Sequence, residues 1–349
     1  MRKTVRLFTL LLIFALMLSL VSCEKYKPVS SSKEEKATVF TVNGKYEAPY
    51  ELYRFVFLNT LRAQGNAEGW DEAKRAEVFS VCDAAARKEI ARVYTVLSLC
   101  DEYGVDPYGR EIDKKVSASV TEAIDAEEIG YETKDNYLKA LYESYMTDSV
   151  FRFYLRLNFA EEMLAKAMQL ASFVSEDADT VKAYFKSEST VRATWIYVPY
   201  GSAAYENFTK EMLDELVKNA KEASDADFVA TAQQYLQTLY MPDELAEGFY
   251  FGKYQLDSYF EKLTETAFAL SEGETSDLIH SGDGVYVVRR LPKDEAYIDN
   301  AENLELLREY YLLDNFYRVI SEKSEETLLT LKSEKAYERV TLDSVKMGK

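Results

Sequence analysis

From residue 49 to residue 170 apolar side chains recur at helical spacing, with only two interruptions, Gly104-Val105-Asp106-Pro107 and Gly130. A period of that length leaves room for a nearly all-α region and little else. It predicts helices over residues 50–62, 70–103, 110–126 and 134–145, and a long one running through Leu170. Just ahead, residues 37–45 alternate apolar and polar and end in Asn43-Gly44, which predicts a short strand entering a tight turn.

The N-terminus has a different composition. Arg2, Lys3 and Arg6 precede an apolar run over residues 7–21, which ends in Leu20-Val21-Ser22-Cys23. The run suits the apolar stretch of a secretion signal and is short for a membrane span of about 20 residues. Its end resembles the bacterial lipobox, which implies cleavage before Cys23, lipid on the Cys23 thiol and residence on the outer face of the cytoplasmic membrane. Residues 1–22 are thus expected to be signal peptide. Residues 23–38, polar and rich in Ser and Lys, are expected to be a flexible tether. No second apolar run of 18 residues follows.

Charge and residue inventory exclude several functions. The formal net charge is −18, and removing the three cations of the signal takes it to about −21. A surface of that sign disfavours nucleic acid and broad attachment to anionic lipid. One histidine, His280, and no cysteine pair at zinc spacing leave no expected metal site. Neither a D-x-D-x-D-G calcium loop nor a G-x-x-x-x-G-K-[ST] phosphate loop is present, and no cofactor is expected. His280 sits in a polar Ser-Gly-Asp-Gly neighbourhood and reads as a surface loop residue. Cys82 and Cys100 share one predicted helix, about 27 Å apart along its axis, so they cannot form a disulfide and read as buried thiols.

The second half alternates element types. Ser175 caps a predicted helix to residue 186, followed by a strand over 191–198 and helices over 206–223 and 227–235. A short apolar turn at 248–252, a helix over 256–269 and a strand over 284–290 complete a small α+β unit. Residues 300–331 read as one amphipathic helix, and a tail follows from 337 to 345.

Two resemblances arise from these residues. The Val42-Asn43-Gly44 strand, the aromatic-rich helix after it and the paired helices split at Gly104-Val105-Asp106 resemble the N-terminal region of the SurA/PrsA secretion foldases. In those proteins the helical body cradles unfolded clients. Residues 190–292 resemble a parvulin peptidyl-prolyl isomerase domain through FxxxA, FG, FE, AFALSEGETS (267–276) and GVYVVRR (284–290). Together they imply a mostly helical α+β protein. Its body is expected at 39–174, with the parvulin-like insertion at 175–292. A C-terminal segment, 293–349, is expected to pack back onto the body.

Carried over position by position, the parvulin resemblance places the two family histidines on Trp195 and Tyr286. The Asp-Cys pair falls on Gln237 and Thr238. Leu256 takes the Met of the proline cup and Phe260 retains the Phe. The apolar cup carries over while the polar network is replaced, so a peptide groove is expected and no catalytic residue is assigned. Core packing stays open for Trp195 and Tyr286, and a helix's inner face for Leu256 and Phe260. The implied function is a lipid-anchored folding factor for unfolded secreted polypeptides. The alternatives are an active prolyl isomerase with an altered site and a non-catalytic surface scaffold.

Overall fold

The computed structural model describes residues 36–64, 69–125, 131, 133–170, 177–199, 208–237, 247–254, 261–280 and 284–344. The signal, most of the tether, Cys23, Thr238, Leu256 and Phe260 lie outside them. The chain divides into two compact units, one formed by residues 1–168 and 320–349 and the other by residues 169–319.

In the first unit, β1 (Thr38–Val42) and β2 (Tyr46–Pro49) form an antiparallel hairpin. Asn43 and Gly44 both take positive φ, 50° and 68°, and the Val42 carbonyl accepts from Lys45 N at 3.0 Å. That is the turn the Asn-Gly pair predicts, since only such residues enter the left-handed region cheaply. Five helices follow: α1 (Tyr50–Gln64), α2 (Glu72–Glu102), α3 (Arg110–Asp125), α4 (Lys134–Glu143) and α5 (Asp148–Leu170). Their ends lie within about two residues of the sequence expectation, because each break carries a cap. Asp71 accepts from Lys74 N and Thr133 from Asn136 N at the starts of α2 and α4.

The core of this unit is aromatic. Tyr53 and Phe57 of α1 are fully buried beside Phe40 of β1. Burying each such ring contributes about 1.5–3 kcal/mol. The core also holds a charge cluster. Arg92 donates through Nε to Glu89 at 2.8 Å and through Nη1 to Glu161 at 3.0 Å, and the Tyr154 hydroxyl donates to Glu89 at 3.0 Å. Cys82 and Cys100 are fully buried on α2, and burial pushes both thiols up to about 12.

The second unit opens with α6 (Ala178–Lys186) and β3 (Thr190–Pro199). Asp177 caps α6 by accepting from Thr180 N, a role the sequence reading gave to Ser175. Helices α7 (Lys210–Glu222) and α8 (Asp225–Gln237) lead to β4 (Phe249–Gly252). Then come α9 (Glu261–Ala269), β5 (Ile279–His280) and β6 (Gly284–Leu291). The four strands form one antiparallel sheet in the order β4-β3-β6-β5.

Two expectations are corrected here. Residues 249–252 are a strand on the edge of β3, since Phe249 and Phe251 pack against one cluster and Tyr250 between them against another, as a pleat requires. His280 is exposed but belongs to strand β5, where it pairs with Val285, and is not a loop residue.

The last long helix, α10 (Ala301–Glu325), stops earlier than expected. Residues 329–331 form β7 (Leu329–Leu331), paired antiparallel with β1, and α11 (Glu334–Tyr337) follows. Asn43 explains the stop: its backbone N–H donates to Leu328 O at 2.9 Å, and its side chain accepts from Leu328 N at 2.8 Å. The observed class is α+β with most described residues helical. No helix among the described residues is long and apolar enough to cross a membrane.

Candidate functional site

The stretch AFALSEGETS folds as the end of α9 and the turn that returns the chain to the sheet. Gly273 takes φ 78°, and its N–H donates to Arg290 O at 2.7 Å. Glu274 accepts from Ser271 N at 2.8 Å, and the Ser276 hydroxyl accepts from Val288 N at 2.9 Å. Glu274 and Ser276 therefore each satisfy a backbone group, and the motif serves to secure the turn to the sheet.

Trp195 and Tyr286 point to the same face of that sheet, toward α9. Strand alternation puts Trp195 and Tyr197 of β3 together there, and the register sets Tyr197 against Tyr286 and Trp195 against Val288. Trp195 is 4% exposed and meets Phe249 edge-on at 5.1 Å, while Tyr286 is 5% exposed. Both belong to a cluster with Val191, Phe251, Leu263 and Ala267. Of Gln237 the structure describes only the backbone, at the end of α8. The two described candidates thus lie diagonally adjacent, as part of the core.

On the opposite face Arg289 is buried. It donates to Asp225 at 2.6 Å and to Thr275 at 2.8 Å, holding the start of α8 to the sheet. Among the described residues no group of three or more His, Cys, Asp or Glu could hold a metal ion.

A more open site lies in the first unit, where α2 ends. Gly104 takes φ 68°, and Val105 N donates back to Cys100 O at 2.8 Å, closing the helix with a Schellman turn. Asp106 then accepts from Tyr108 N through Oδ1 at 3.0 Å, and Gly109 N donates to Asp106 O at 3.1 Å. This tight turn projects Tyr108 outward, 59% exposed. Arg156 steadies the turn by donating to Pro107 O at 2.9 Å, with its guanidinium 4.8 Å from the Tyr108 ring centre.

The hairpin supplies the facing wall. Tyr46 leans on Tyr94 at 5.7 Å, and the Tyr94 hydroxyl donates to Glu47 O at 2.6 Å. Lys45 and the Tyr46 hydroxyl converge on one oxygen of Asp101. Between these walls is an open groove of about 610 Å³, with Leu97, Cys100, Val105 and Pro107 among its lining. Hydrogen bonds from Lys45 and Tyr46 hold the Asp101 carboxyl below its ordinary range, and those from Lys332 and Thr38 do the same for Glu47. Burial raises the Tyr94 hydroxyl, in keeping with its place under the hairpin.

None of the tyrosines that the helical stripes make conspicuous, Tyr50, Tyr53, Tyr137, Tyr142, Tyr145, Tyr310, Tyr311 and Tyr317, lines this groove. The signal in the sequence was the Gly104-Val105-Asp106-Pro107 break, which reads as punctuation and not as a site.

No family model and no curated protein matches the sequence. Solved structures do. The foldase protein PrsA from Streptococcus pneumoniae is 18% identical over 74% of this chain and 90% of its own, with a TM-score of 0.33. PrsA from Bacillus subtilis is 17% identical over 72% and 87%, with a TM-score of 0.27. A SurA-like chaperone of Campylobacter jejuni is 13% identical over 85% and 100%, with a TM-score of 0.29. Scores of this size set no residue-by-residue correspondence. The solved structures this chain is similar to include PrsA foldases and a SurA-like chaperone.

Proposed function

We propose that the chain is an extracytoplasmic folding factor, anchored by lipid on Cys23, that holds unfolded segments of secreted polypeptides. One observation carries the reading: the groove at the end of α2, open to solvent and walled by Tyr46, Tyr94 and Tyr108. Tyr rings offer large contact area with a polar tip and little side-chain entropy to lose, so they grip many sequences weakly. Weak grip suits a protein with no phosphate-binding loop, since release then needs no nucleotide. A volume near 610 Å³ is that of a site for a few side chains, not a whole domain.

The second unit is read as a parvulin-like module without isomerase chemistry. Rotation about a prolyl bond faces a barrier of about 20 kcal/mol. The parvulin resemblance implies that polar groups set against the amide help to lower it, and the residues at the two histidine positions, Trp195 and Tyr286, are spent on core packing. The test is aggregation of an unfolded secreted protein, with a prolyl cis/trans assay run on the same preparation. The reading predicts suppressed aggregation and no acceleration of isomerisation. Unsuppressed aggregation by the folded chain would instead favour a surface scaffold, and acceleration an isomerase with an altered site.

A further inference from the structure

The groove is not neutral. Its lining holds three carboxylates, Glu47, Asp101 and Asp106, and one ammonium group, Lys45. Two of the carboxylates are already engaged. Glu47 is paired with Lys332, and Asp101 with Lys45. Asp106 differs: among the described residues no cation pairs with it, and its side chain is exposed two positions from the exposed Tyr108 ring. Arg156, the nearest cation to that ring, is itself committed to Asp113 at 2.6 Å and to the Pro107 carbonyl. An open carboxylate therefore stands beside an open aromatic ring, at the mouth of an apolar and aromatic floor.

We infer that the groove prefers extended segments in which a Lys or Arg lies next to an apolar side chain, with the apolar group against Tyr94 and Leu97 and the cation against Asp106. The inference rests on the reading that this groove holds unfolded chains. Charge complementarity supports the choice. The lining carries a net of two negative charges, and the whole chain a net of −18, so basic segments are drawn to it and acidic ones repelled. One exposed ion pair fixes the scale, about three- to fivefold in affinity, with most of the grip left to apolar contact. It follows that the preference fades with salt while the residual binding stays.

Fluorescence anisotropy on the full chain in nanodiscs of neutral lipid, with empty nanodiscs as control, tests this directly. Two labelled peptides of equal apolar content are used, one bearing Lys and Arg and the other Glu. The basic peptide is expected to bind about three- to fivefold more tightly in low salt. Asp106→Asn keeps the Oδ1 acceptor for Tyr108 N, so it preserves the turn and should remove most of the difference while leaving the weaker binding in place. Tyr108→Ala should weaken both peptides. Equal binding of the two peptides, or a preference undiminished by Asp106→Asn, would overturn the inference and leave the groove as a client site. Binding of neither peptide, or binding untouched by Tyr108→Ala, would overturn the groove reading itself and the inference with it.

Discussion

The Tyr286 ring lies stacked on that of Tyr197, its cross-strand partner, with centroids 4.5 Å apart and planes 18° from parallel. Such pairs add about 0.5–1.5 kcal/mol beyond the burial of their area. Both rings are buried. The account therefore predicts that Tyr286→Ala destabilises the second unit by about 3–5 kcal/mol, as other buried aromatic truncations do. Urea denaturation followed by tryptophan fluorescence reads the change. A loss under about 1 kcal/mol, the size of a surface substitution, would contradict a core role.

At the hairpin, Gly44→Val places a β-branched side chain at φ 68°. Nothing crowds the site, so the cost is conformational alone, about 1–2 kcal/mol. Asn43→Ala should cost a similar amount, because it too sits at positive φ, 50°, and in addition it removes the acceptor for Leu328 N and loosens the contact that fixes β7. Denaturation midpoints measure both. Faster amide exchange across residues 329–331 in Asn43→Ala would separate its mechanism from that of Gly44→Val.

Arg92 sits between Glu89 and Glu161 in the helical core, with its side chain 23% exposed and each carboxylate side chain 10%. Arg92→Met leaves two carboxylates facing each other without a cation. The expected cost is about 3–5 kcal/mol, the range for breaking a buried pair from one side. The triple variant Glu89→Gln, Arg92→Met, Glu161→Gln should recover much of that stability. Failure of the triple variant to recover any would mean the cluster acts through packing and not charge.

His280, the sole histidine, gives a clean titration by proton NMR. Partial withdrawal of the ring from water and the neighbouring Lys262 ammonium both disfavour its protonated form, so its pKa should fall below the ordinary histidine value. The linkage runs as for any base whose folded pKa is lowered. Its contribution is fully present above about pH 6.5, the unfolded value, and declines as pH falls from there toward the folded pKa. Lys262→Gln should move the resonance's midpoint back upward. A midpoint above the ordinary value would contradict the described surroundings.

The helical half was legible because its signals are local. Asn43-Gly44 and the Gly104 break each act within a few residues, and the helices of the first unit begin and end close to the expected places. Leu329–Leu331 was not legible, since its apolar residues continue a helical stripe and its strand partner, β1, lies nearly the whole chain away. Phe249–Gly252 was too short to read as a strand without sight of β3. The groove was hidden for a related reason. Its walls come from the hairpin, the last turns of α2 and the turn after it, and no periodicity links Tyr46, Tyr94 and Tyr108. In the second unit the strand over 191–198 was legible from its β-branched and aromatic residues, but sequence could not say that the face bearing Trp195 and Tyr197 is packed by α9.

The most direct test of the central claim is site-specific photocrosslinking to an unfolded secreted protein. A photoreactive phenylalanine analogue replaces either Tyr108, 59% exposed at the groove, or Met212, 45% exposed on α7 of the other unit. The two positions are comparably open to solvent, so simple accessibility does not separate them. The account predicts crosslinks to the unfolded protein from position 108, lost when the client is allowed to fold, and few from position 212. Equal yields at both positions, or none at 108, would contradict it.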